Sequence, residues 1–151
     1  MLIAGEQASG TVLAFWIGAL AQQQQVFQDI RGEVLAAFGS EDEPKADMTW
    51  DALNACKSLQ WSILETLRLY GPVAVIARQA RCNTILPHGG GPAGEAPLAV
   101  PKGAGIMVFS SMMHKRQDYW GEDADQFRPS RWEGRKYWPE WAAFGQGLVP
   151  L

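Results

Sequence analysis

The chain has 151 residues, of which 47% are hydrophobic and 19% charged, and its formal net charge is −3. That length and composition fit a single globular domain and argue against a disordered chain. The acidic balance, with a pI near 5.3, provides no basic surface for nucleic acid or an anionic membrane. The two cysteines, Cys56 and Cys82, are too few for a disulfide framework and lack the spacing of a metal site.

The apolar runs of the chain are too short to predict a membrane segment. The longest, residues 12–21, is well below the roughly 20 residues that a transmembrane helix needs. The chain opens with Met-Leu-Ile and has no basic segment ahead of its first apolar one, so we expect no signal peptide. Without an anchor, the sequence favours a cytoplasmic location or leaves the location open.

Proline placement divides the chain near residue 71. Of the nine prolines, only Pro44 precedes residue 72. Because proline removes a backbone donor and ends helices, we predict helices over residues 1–71. Short strands, turns and a meandering segment are predicted over residues 72–151. The predicted fold class is therefore mainly α with a small β part, an α+β fold.

Three helices are predicted in the first part of the chain. Residues 2 to about 23 are apolar on nearly every side, which indicates a helix buried all round. Apolar residues at spacings of three and four over residues 26–37 indicate an amphipathic helix that ends at Gly39. The third helix has Thr49 as its N-cap and ends at Gly71, before a proline.

Beyond residue 72 the predicted elements are short. Strands are expected at residues 73–76 and 106–110. Turns are expected at residues 88–92 and 101–103, where glycine and proline cluster. The charged segment 120–135 also carries aromatic residues, and we expect it to be irregular with only a short helix.

An acidic and a basic residue lie three positions apart near the end of the third helix. Glu65 and Arg68 share a helix face and can pair. An isolated pair of this kind is most simply a solvated surface pair worth a few tenths of a kcal/mol. Two features favour burial instead: the helix is strongly apolar, and a second arginine, Arg131, lies between aromatic residues in segment 127–132.

These segments together resemble one family over the whole chain, the cytochrome P450 heme-thiolate monooxygenases. Glu65-x-x-Arg68 resembles the Glu-x-x-Arg signature of the family's K helix. Segment 127–132, Phe-Arg-Pro-Ser-Arg-Trp, resembles its downstream Phe-x-Pro-x-Arg-Trp element. Segments 86–92 and 121–127 are similar to the fungal group that includes alkane and fatty-acid hydroxylases. The resemblance implies a partial cytochrome P450 fold, from the distal helix to the start of the cysteine loop.

The resemblance also implies roles for particular residues. Glu65, Arg68 and Arg131 would form the family's structural triad, which holds the loops on the heme side. Since a buried arginine is costly unless it is paired and hydrogen-bonded, such a triad fixes a loop and performs no chemistry. Arg78 would bind a heme propionate, with a strand-edge surface arginine as the alternative. The apolar residues 73–76 would face the substrate or pack in the core.

The first helix departs from the family's oxygen-binding pattern, Ala/Gly-Gly-x-Asp/Glu-Thr-Thr/Ser. Residues 4–9 read Ala-Gly-Glu-Gln-Ala-Ser. Gly5 has no side chain that would block dioxygen from approaching the helix backbone. Gln7, however, replaces the acid and Ala8 replaces the hydroxyl of the proton-delivery pair. An amide does not supply protons near neutral pH, and Ser9 lies about 100° further round the helix. The usual proton delivery is therefore not expected.

The cysteine loop departs as well from its family pattern, Phe-Gly-x-Gly-x-Arg-x-Cys-x-Gly. Phe144, Gly145 and Gly147 match its first half and would lie against the cofactor. Val149 then stands at the arginine position and Leu151 at the cysteine position. A thiolate donates electron density that favours O–O cleavage, and leucine has no donor atom. No metal ligand is therefore predicted in this chain.

The resemblance implies heme b as the cofactor. Cytochrome P450 reductase and an apolar small molecule would be the partners, and the endoplasmic reticulum membrane is the usual location of family members. The family activity is oxidation of an apolar substrate, in fungal secondary metabolism or in fatty-acid and alkane oxidation. We expect this chain itself to be inactive and not to bind heme stably. The alternatives are a truncated, non-catalytic remnant and an interaction protein. Cys56 and Cys82 are expected to be ordinary buried or partly buried thiols.

Overall fold

The computed structural model describes residues 2–134, 141 and 143. Helices come first in these residues, and the strands follow residue 72, so the α+β fold class is confirmed. The elements, in chain order, are α1 (Leu2–Gln22), α2 (Gln24–Phe38), α3 (Trp50–Ala55), α4 (Lys57–Tyr70), β1 (Ile76–Gln79), β2 (Thr84–Gly90), β3 (Ala96–Val100), β4 (Gly105–Val108), α5 (Ser110–Met113), α6 (Gln117–Trp120) and a 3-10 helix (Pro129–Trp132).

Helix ends lie where the capping residues predict them. Helix α2 ends at Gly39, whose φ of +80° is in the left-handed region that favours glycine. A Cβ atom there would lie 2.2 Å from the carbonyl oxygen of Glu43. The Thr49 side chain accepts a hydrogen bond from the backbone N–H of Ala52 and caps α3. Helix α4 ends at Tyr70, before the glycine and proline that predict its end.

The third predicted helix is in fact two helices, α3 and α4. They are separated at Cys56, which has extended backbone angles of −71° and 94°. The apolar spacing continues across this residue, so periodicity does not reveal the break. A new helix, α4, starts directly after the break because the Glu33 carboxylate of α2 binds its first backbone N–H groups. Glu33 is distant from these groups in the sequence.

Helix α1 is not buried on every side, so that prediction is wrong. Ala19 and Leu20 are buried, whereas Leu13, Phe15 and Ile17 are 53%, 47% and 63% exposed. The helix packs along one side on α2 and α4. An all-round apolar composition predicts burial only if partners surround the helix, and the described residues cover just one side. Among the described residues, none of the helices combines the length and the hydropathy of a membrane-spanning segment.

The described strands form two antiparallel pairs, β1 with β4 and β2 with β3. The first strand begins at Ile76 and not at residue 73 as predicted. The carbonyls of Val73 and Ala74 accept hydrogen bonds from the Ser110 hydroxyl at 2.8 and 3.1 Å. These two residues are therefore held by α5, and Ser110 begins that helix instead of ending the strand β4.

The turns of the second part lie close to their predicted places. The glycines of segment 88–92 are shared between β2 and the turn of the β2–β3 hairpin, which runs through residues 91–94. The predicted turn at residues 101–103 is present between β3 and β4. Segment 120–134 is irregular and contains only the end of α6 and the short 3-10 helix, as its composition predicts.

The core lies between α4 and the segment that follows α5. Trp120, Ala124 and Trp132 form its buried cluster. The ring centroids of the two tryptophans are 5.7 Å apart. The second half of α4 is buried against this cluster, and it brings polar side chains with it. The fold therefore places charged groups of α4 inside the protein.

Candidate functional site

Three charged side chains meet in the interior between α4 and the 3-10 helix. Glu65, Arg68 and Arg131 are 0%, 1% and 3% exposed. Arg68 donates two parallel hydrogen bonds to Glu65, from Nη2 to Oε1 at 2.8 Å and from Nε to Oε2 at 2.9 Å. Arg131 Nε donates to Glu65 Oε1 at 3.2 Å. The structure thus brings together the three residues that the motif spacing singles out.

Two further donors complete the coordination of the Glu65 carboxylate. The backbone N–H of Arg128 lies 3.0 Å from Oε1, and the indole Nε1 of Trp132 lies 3.0 Å from Oε2. The carboxylate therefore accepts five hydrogen bonds, enough to occupy its roughly four lone-pair sites fully. We name this group the Glu65 cluster: Glu65, Arg68, Arg131, Trp132 and the Arg128 backbone.

Sequence reasoning missed both of these donors. A backbone N–H leaves no trace in a sequence. Trp132 stands within the Phe-x-Pro-x-Arg-Trp element, but a tryptophan beside an arginine is most simply an apolar core residue. The usable signal is its N–H, because a buried indole N–H usually finds a hydrogen-bond acceptor.

The two guanidinium groups also bind the backbone of the segment that crosses α4. Arg68 donates to the carbonyl oxygens of His114, Ala124 and Gln126. Arg131 donates to the carbonyl oxygens of Trp120 and Asp123, at 2.6 and 2.8 Å. These bonds offset the large cost of burying each positive charge. They also fix the path of residues 114–132 over α4.

Asp123 supplies a second negative charge to the cluster. Its Oδ1 atom lies 3.0 Å from Arg131 Nη1, and its Oδ2 atom lies 3.0 Å from Arg128 Nη1. Burial alone would raise the pKa of Asp123, but the hydrogen bond and charge of Arg131, aided by Arg128, outweigh burial and lower it. Asp123 therefore balances the charge that Glu65 alone leaves uncompensated on the buried arginines.

His114 is packed against the same cluster and is 2% exposed. Its Nδ1 atom lies 3.0 Å from the carbonyl oxygen of Arg68, and since a carbonyl only accepts, Nδ1 carries the hydrogen. Burial is the main cause that lowers the pKa of His114, and the nearby Arg68 charge adds to it against the opposing backbone hydrogen bond. The Arg68 guanidinium also lies over the Trp120 ring, 5.1 Å from its centroid.

The chemistry of this arrangement is positional. The Glu65 cluster is closed from solvent, and its carboxylate and both guanidinium groups are engaged in hydrogen bonds. A group that exchanges protons with a substrate needs access to it, and the buried carboxylate has none. The cluster is therefore suited to holding residues 114–132 in one conformation on α4.

The predicted oxygen-binding residues lie on α1, on a different element from the Glu65 cluster. Gly5, Gln7 and Ser9 are exposed, and Ala8 is half-buried. A Cβ atom at Gly5 would meet no atom within 4 Å, so the backbone of this turn is open to close approach. The Gln7 carbonyl accepts a hydrogen bond from the hydroxyl of Thr11 at 2.8 Å.

Arg78 lies on β1 opposite Ile106 of β4 and is exposed. Its guanidinium donates to the carbonyl of Ala77 at 3.0 Å. The exposed position of Arg78 is compatible with binding of a heme propionate, and this role stays a prediction. The other residues predicted to contact the cofactor, and the one at the ligand position, lie outside the described residues: Phe144, Gly145, Gly147 and Leu151.

The two cysteines differ in their surroundings. Cys56 is 2% exposed, and burial, followed by the charge of Glu33, raises the pKa of its thiol. Cys82 is exposed in the bend after β1, so its predicted burial is wrong. The bend connects β1 and β2 at the surface. The local sequence predicts a strand or a turn there, but it does not indicate whether the Cys82 side chain faces the core or the solvent.

A heme-thiolate centre requires a thiolate ligand, and the two cysteines of the chain are Cys56, which is buried, and Cys82, which is exposed. In the described part of the chain, no group of three or more His, Cys, Asp or Glu residues could hold a metal ion. Burial, followed by the charge of Glu33, raises the pKa of Cys56 and so disfavours its thiolate form. Leu151, which the sequence spacing places at the family's cysteine position, lies outside the described residues. Among the described residues, Arg78 is exposed and cationic, which are the properties that binding of a propionate would require.

The fold and the Glu65 cluster define a class of protein in which one buried carboxylate binds two arginines. One arginine lies on the same helix as the carboxylate, and the other lies on the 3-10 helix. The chain matches the family model Cytochrome P450 over residues 1–148. It is 38% identical over 147 residues to cytochrome P450 monooxygenase g430 of a Fusarium species. It is 37% identical over 149 residues to cytochrome P450 52A13 of Debaryomyces hansenii, and 41% identical over 151 residues to cytochrome P450 52E1 of Candida apicola. The chain belongs to the cytochrome P450 family.

These matches cover 97%, 97% and 100% of this chain. They cover only 26%, 29% and 28% of the three relatives. The chain therefore spans little more than a quarter of the length of the curated relatives that it matches. The resemblance inferred from the Glu-x-x-Arg and Phe-x-Pro-x-Arg-Trp elements is confirmed, including its similarity to fungal members.

Proposed function

We propose that this chain is the part of a heme-thiolate monooxygenase that holds the heme-side loops in place, and that it does not itself activate oxygen. The observation that carries the proposal is the Glu65 carboxylate with its five donors. This buried group fixes residues 114–132 on α4. In the family, the loop that carries the cysteine ligand follows that segment.

The family activity would be oxidation of an apolar substrate, such as an alkane, a fatty acid or a secondary metabolite. Several fungal relatives bear the name cytochrome P450 monooxygenase, which supports this class of reaction. When heme b is bound through a thiolate, it supplies dioxygen activation with electrons from a reductase. The partners would then be cytochrome P450 reductase and the substrate, at the endoplasmic reticulum membrane.

Three substitutions support the proposal that the chain as it stands is inactive. Gln7 and Ala8 replace the acid and the hydroxyl that deliver protons, and Leu151 replaces the thiolate ligand. Arg78 would still bind a propionate, since it is exposed and cationic. One salt bridge to a propionate does not replace an axial ligand, so we propose that heme is not held stably.

Carbon monoxide spectroscopy tests this proposal. The purified chain is mixed with heme, reduced and exposed to carbon monoxide. We expect no red-shifted Soret band of a thiolate-ligated ferrous complex. The matched variant Val149→Arg/Leu151→Cys restores the family pattern at both positions, and a red-shifted band in that variant alone would show that the ligand is what the chain lacks. The same band in the unmodified chain would contradict the proposal.

A second candidate function, binding of a partner protein, is favoured by the surface of α1. Leu13, Phe15 and Ile17 expose about half or more of their surface. Ile17 also lines an open apolar groove together with Phe27 of α2, and an apolar groove of this kind is typical of interaction sites. Size-exclusion chromatography distinguishes the two candidates. A defined complex of fixed stoichiometry would favour the binding function, whereas non-specific aggregates would not.

A further inference from the structure

The first turn of α4 is capped by a residue from another helix. The helix follows Cys56, whose side chain makes no capping hydrogen bond. The carboxylate of Glu33, on α2 and 24 residues earlier, takes this place. Glu33 Oε1 accepts from the backbone N–H of Lys57 at 2.6 Å, and Oε2 accepts from those of Ser58 and Leu59 at 2.8 and 3.4 Å.

The electrostatics of α4 favour an anion at this position. The first N–H groups of a helix have no intrahelical partner, and they carry the positive end of the helix dipole. The first turn of α4 has no acidic residue of its own and begins with Lys57, which adds a positive charge. Glu33 supplies the missing negative charge, so its contact is a charge-assisted cap and not only a packing contact.

Helix α4 is thereby held by carboxylates at both ends. Glu33, which lies on α2, binds the first turn of α4. Glu65, which lies on α4 itself, binds Arg68 in the last turn and Arg131 of the 3-10 helix. Since α4 is one continuous helix of 14 residues, fixing its start also sets the place of its end. Helices α2 and α4 also pack together, and the Glu33 contact fixes how they are aligned.

We propose that Glu33 is a positioning residue, an anion bound at the start of α4 that ties this helix and the Glu65 cluster to α2. The cap explains why a new helix, α4, can start directly after α3 although the Cys56 side chain makes no capping hydrogen bond. Burial and the charge of Glu33 also raise the pKa of the neighbouring Cys56 thiol. Residue 33 therefore acts on the cluster through α4 and touches none of its members.

The Cys56 thiol reports directly on this cap, because it lies next to the bound N–H groups and is 2% exposed. A Cys82→Ser background removes the exposed thiol. Maleimide labelling of Cys56 is then measured in the full chain with and without Glu33→Ala. We expect labelling about tenfold faster in the variant, equal to about 1.4 kcal/mol of easier opening. The pH dependence of labelling separates a change in thiol pKa from opening.

Formate provides the decisive arm of the experiment. If the start of α4 needs an anion, sodium formate should restore the slow labelling of Glu33→Ala, whereas sodium chloride at equal concentration should not. The control is Glu41→Ala, which removes an exposed glutamate from the loop after α2 and should label like the parent. Neither salt should change the parent.

Two results would overturn the proposal. The first is unchanged labelling in Glu33→Ala, and the second is faster labelling that formate leaves unchanged in a chain that circular dichroism shows to be folded. If Glu33→Ala does not fold, Glu33→Gln replaces it, since glutamine keeps the length and one acceptor but loses the charge. Faster labelling in Glu33→Gln supports the anion, and labelling equal to the parent overturns it.

Discussion

Trp132 shows how an aromatic residue can serve a buried ion pair. Its ring packs against Trp120 at 5.7 Å, while its Nε1 donates to Glu65 at 3.0 Å. The apolar face and the polar N–H thus act in different interactions. A variant that keeps the ring and removes the donor separates the two contributions.

We predict that Trp132→Phe lowers the free energy of unfolding by about 1–3 kcal/mol, because a hydrogen bond to a buried carboxylate is lost and the ring is smaller. Urea unfolding measures this change. The control is Trp50→Phe, since Trp50 is 77% exposed and should tolerate phenylalanine. Equal stability of the two variants would contradict the assigned contact.

His114 makes stability depend on pH. Its pKa in the folded chain is lowered from 6.5, mainly by burial, so the unfolded chain takes up a proton first as the pH falls. The stability that comes from neutral His114 is therefore fully present above about pH 6.5 and decreases below it. We predict that His114→Gln removes this part of the pH dependence, as measured by urea unfolding over a pH series. The control variant His88→Gln, at an exposed position on β2, should keep the slope of the parent.

At the Glu65 cluster, the sequence predicts the charges but not all of the contacts. Glu65 and Arg68 are recognisable from their spacing, and Arg131 from its aromatic flanks. Asp123 and the carbonyls that bind the arginines come from a segment without regular structure, where sequence spacing does not indicate proximity. Tertiary packing alone brings these atoms together.

Among the elements, helix α2 has two glycines with opposite roles, Gly32 inside the helix and Gly39 directly after its last residue. Gly39 has φ +80°, and a Cβ atom there would lie 2.2 Å from the Glu43 carbonyl oxygen. Gly32 lies inside the helix, and a Cβ atom there would meet nothing within 4 Å. The same substitution should therefore have opposite effects at these two positions.

We predict that Gly39→Ala lowers the free energy of unfolding by about 1–3 kcal/mol, through backbone strain and the clash. Gly32→Ala should raise it by up to about 1 kcal/mol, because alanine favours the helix. Thermal unfolding followed by circular dichroism measures both. A stabilising Gly39→Ala would contradict the described helix end.

Element ends are predictable where one residue determines them, as Thr49 and Gly39 do. The break at Cys56 is not, because Glu33, a residue on another helix, makes a second helix start possible there. The start of β1 is also not predictable, because the Ser110 hydroxyl binds Val73 and Ala74 and displaces the strand toward Ile76. In both cases a distant polar side chain decides the local structure.

At the scale of the whole molecule, the exposed face of α1 is the main departure from expectation. Residues 7–28 carry no ionisable side chain, and an open apolar groove lies between α1 and α2. The groove is lined by Trp16, Ile17, Leu20, Ala21, Gln24 and Phe27. Composition predicted how apolar this helix is, but it does not specify whether each side has a partner.

We predict that the isolated chain self-associates through this face and that Ile17→Lys weakens association, because it places a charge in the lining of the groove. Sedimentation velocity over a concentration series measures the effect. Gln28→Lys, an exposed change of equal charge on α2, is the control and should associate more than Ile17→Lys. Equal association of both variants would show that α1 is not the contact surface.

One buried carboxylate, that of Glu65, organises the second part of the described fold. Urea unfolding of Glu65→Gln, followed by near-ultraviolet circular dichroism of the tryptophans, tests it most directly. We expect the free energy of unfolding to fall by about 3–5 kcal/mol, or the folded signal to be absent, because two buried guanidinium groups lose their shared anion. Glu133→Gln, an exposed change next to the 3-10 helix, should leave both unchanged. A Glu65→Gln chain with the spectrum and unfolding curve of the parent would contradict the account.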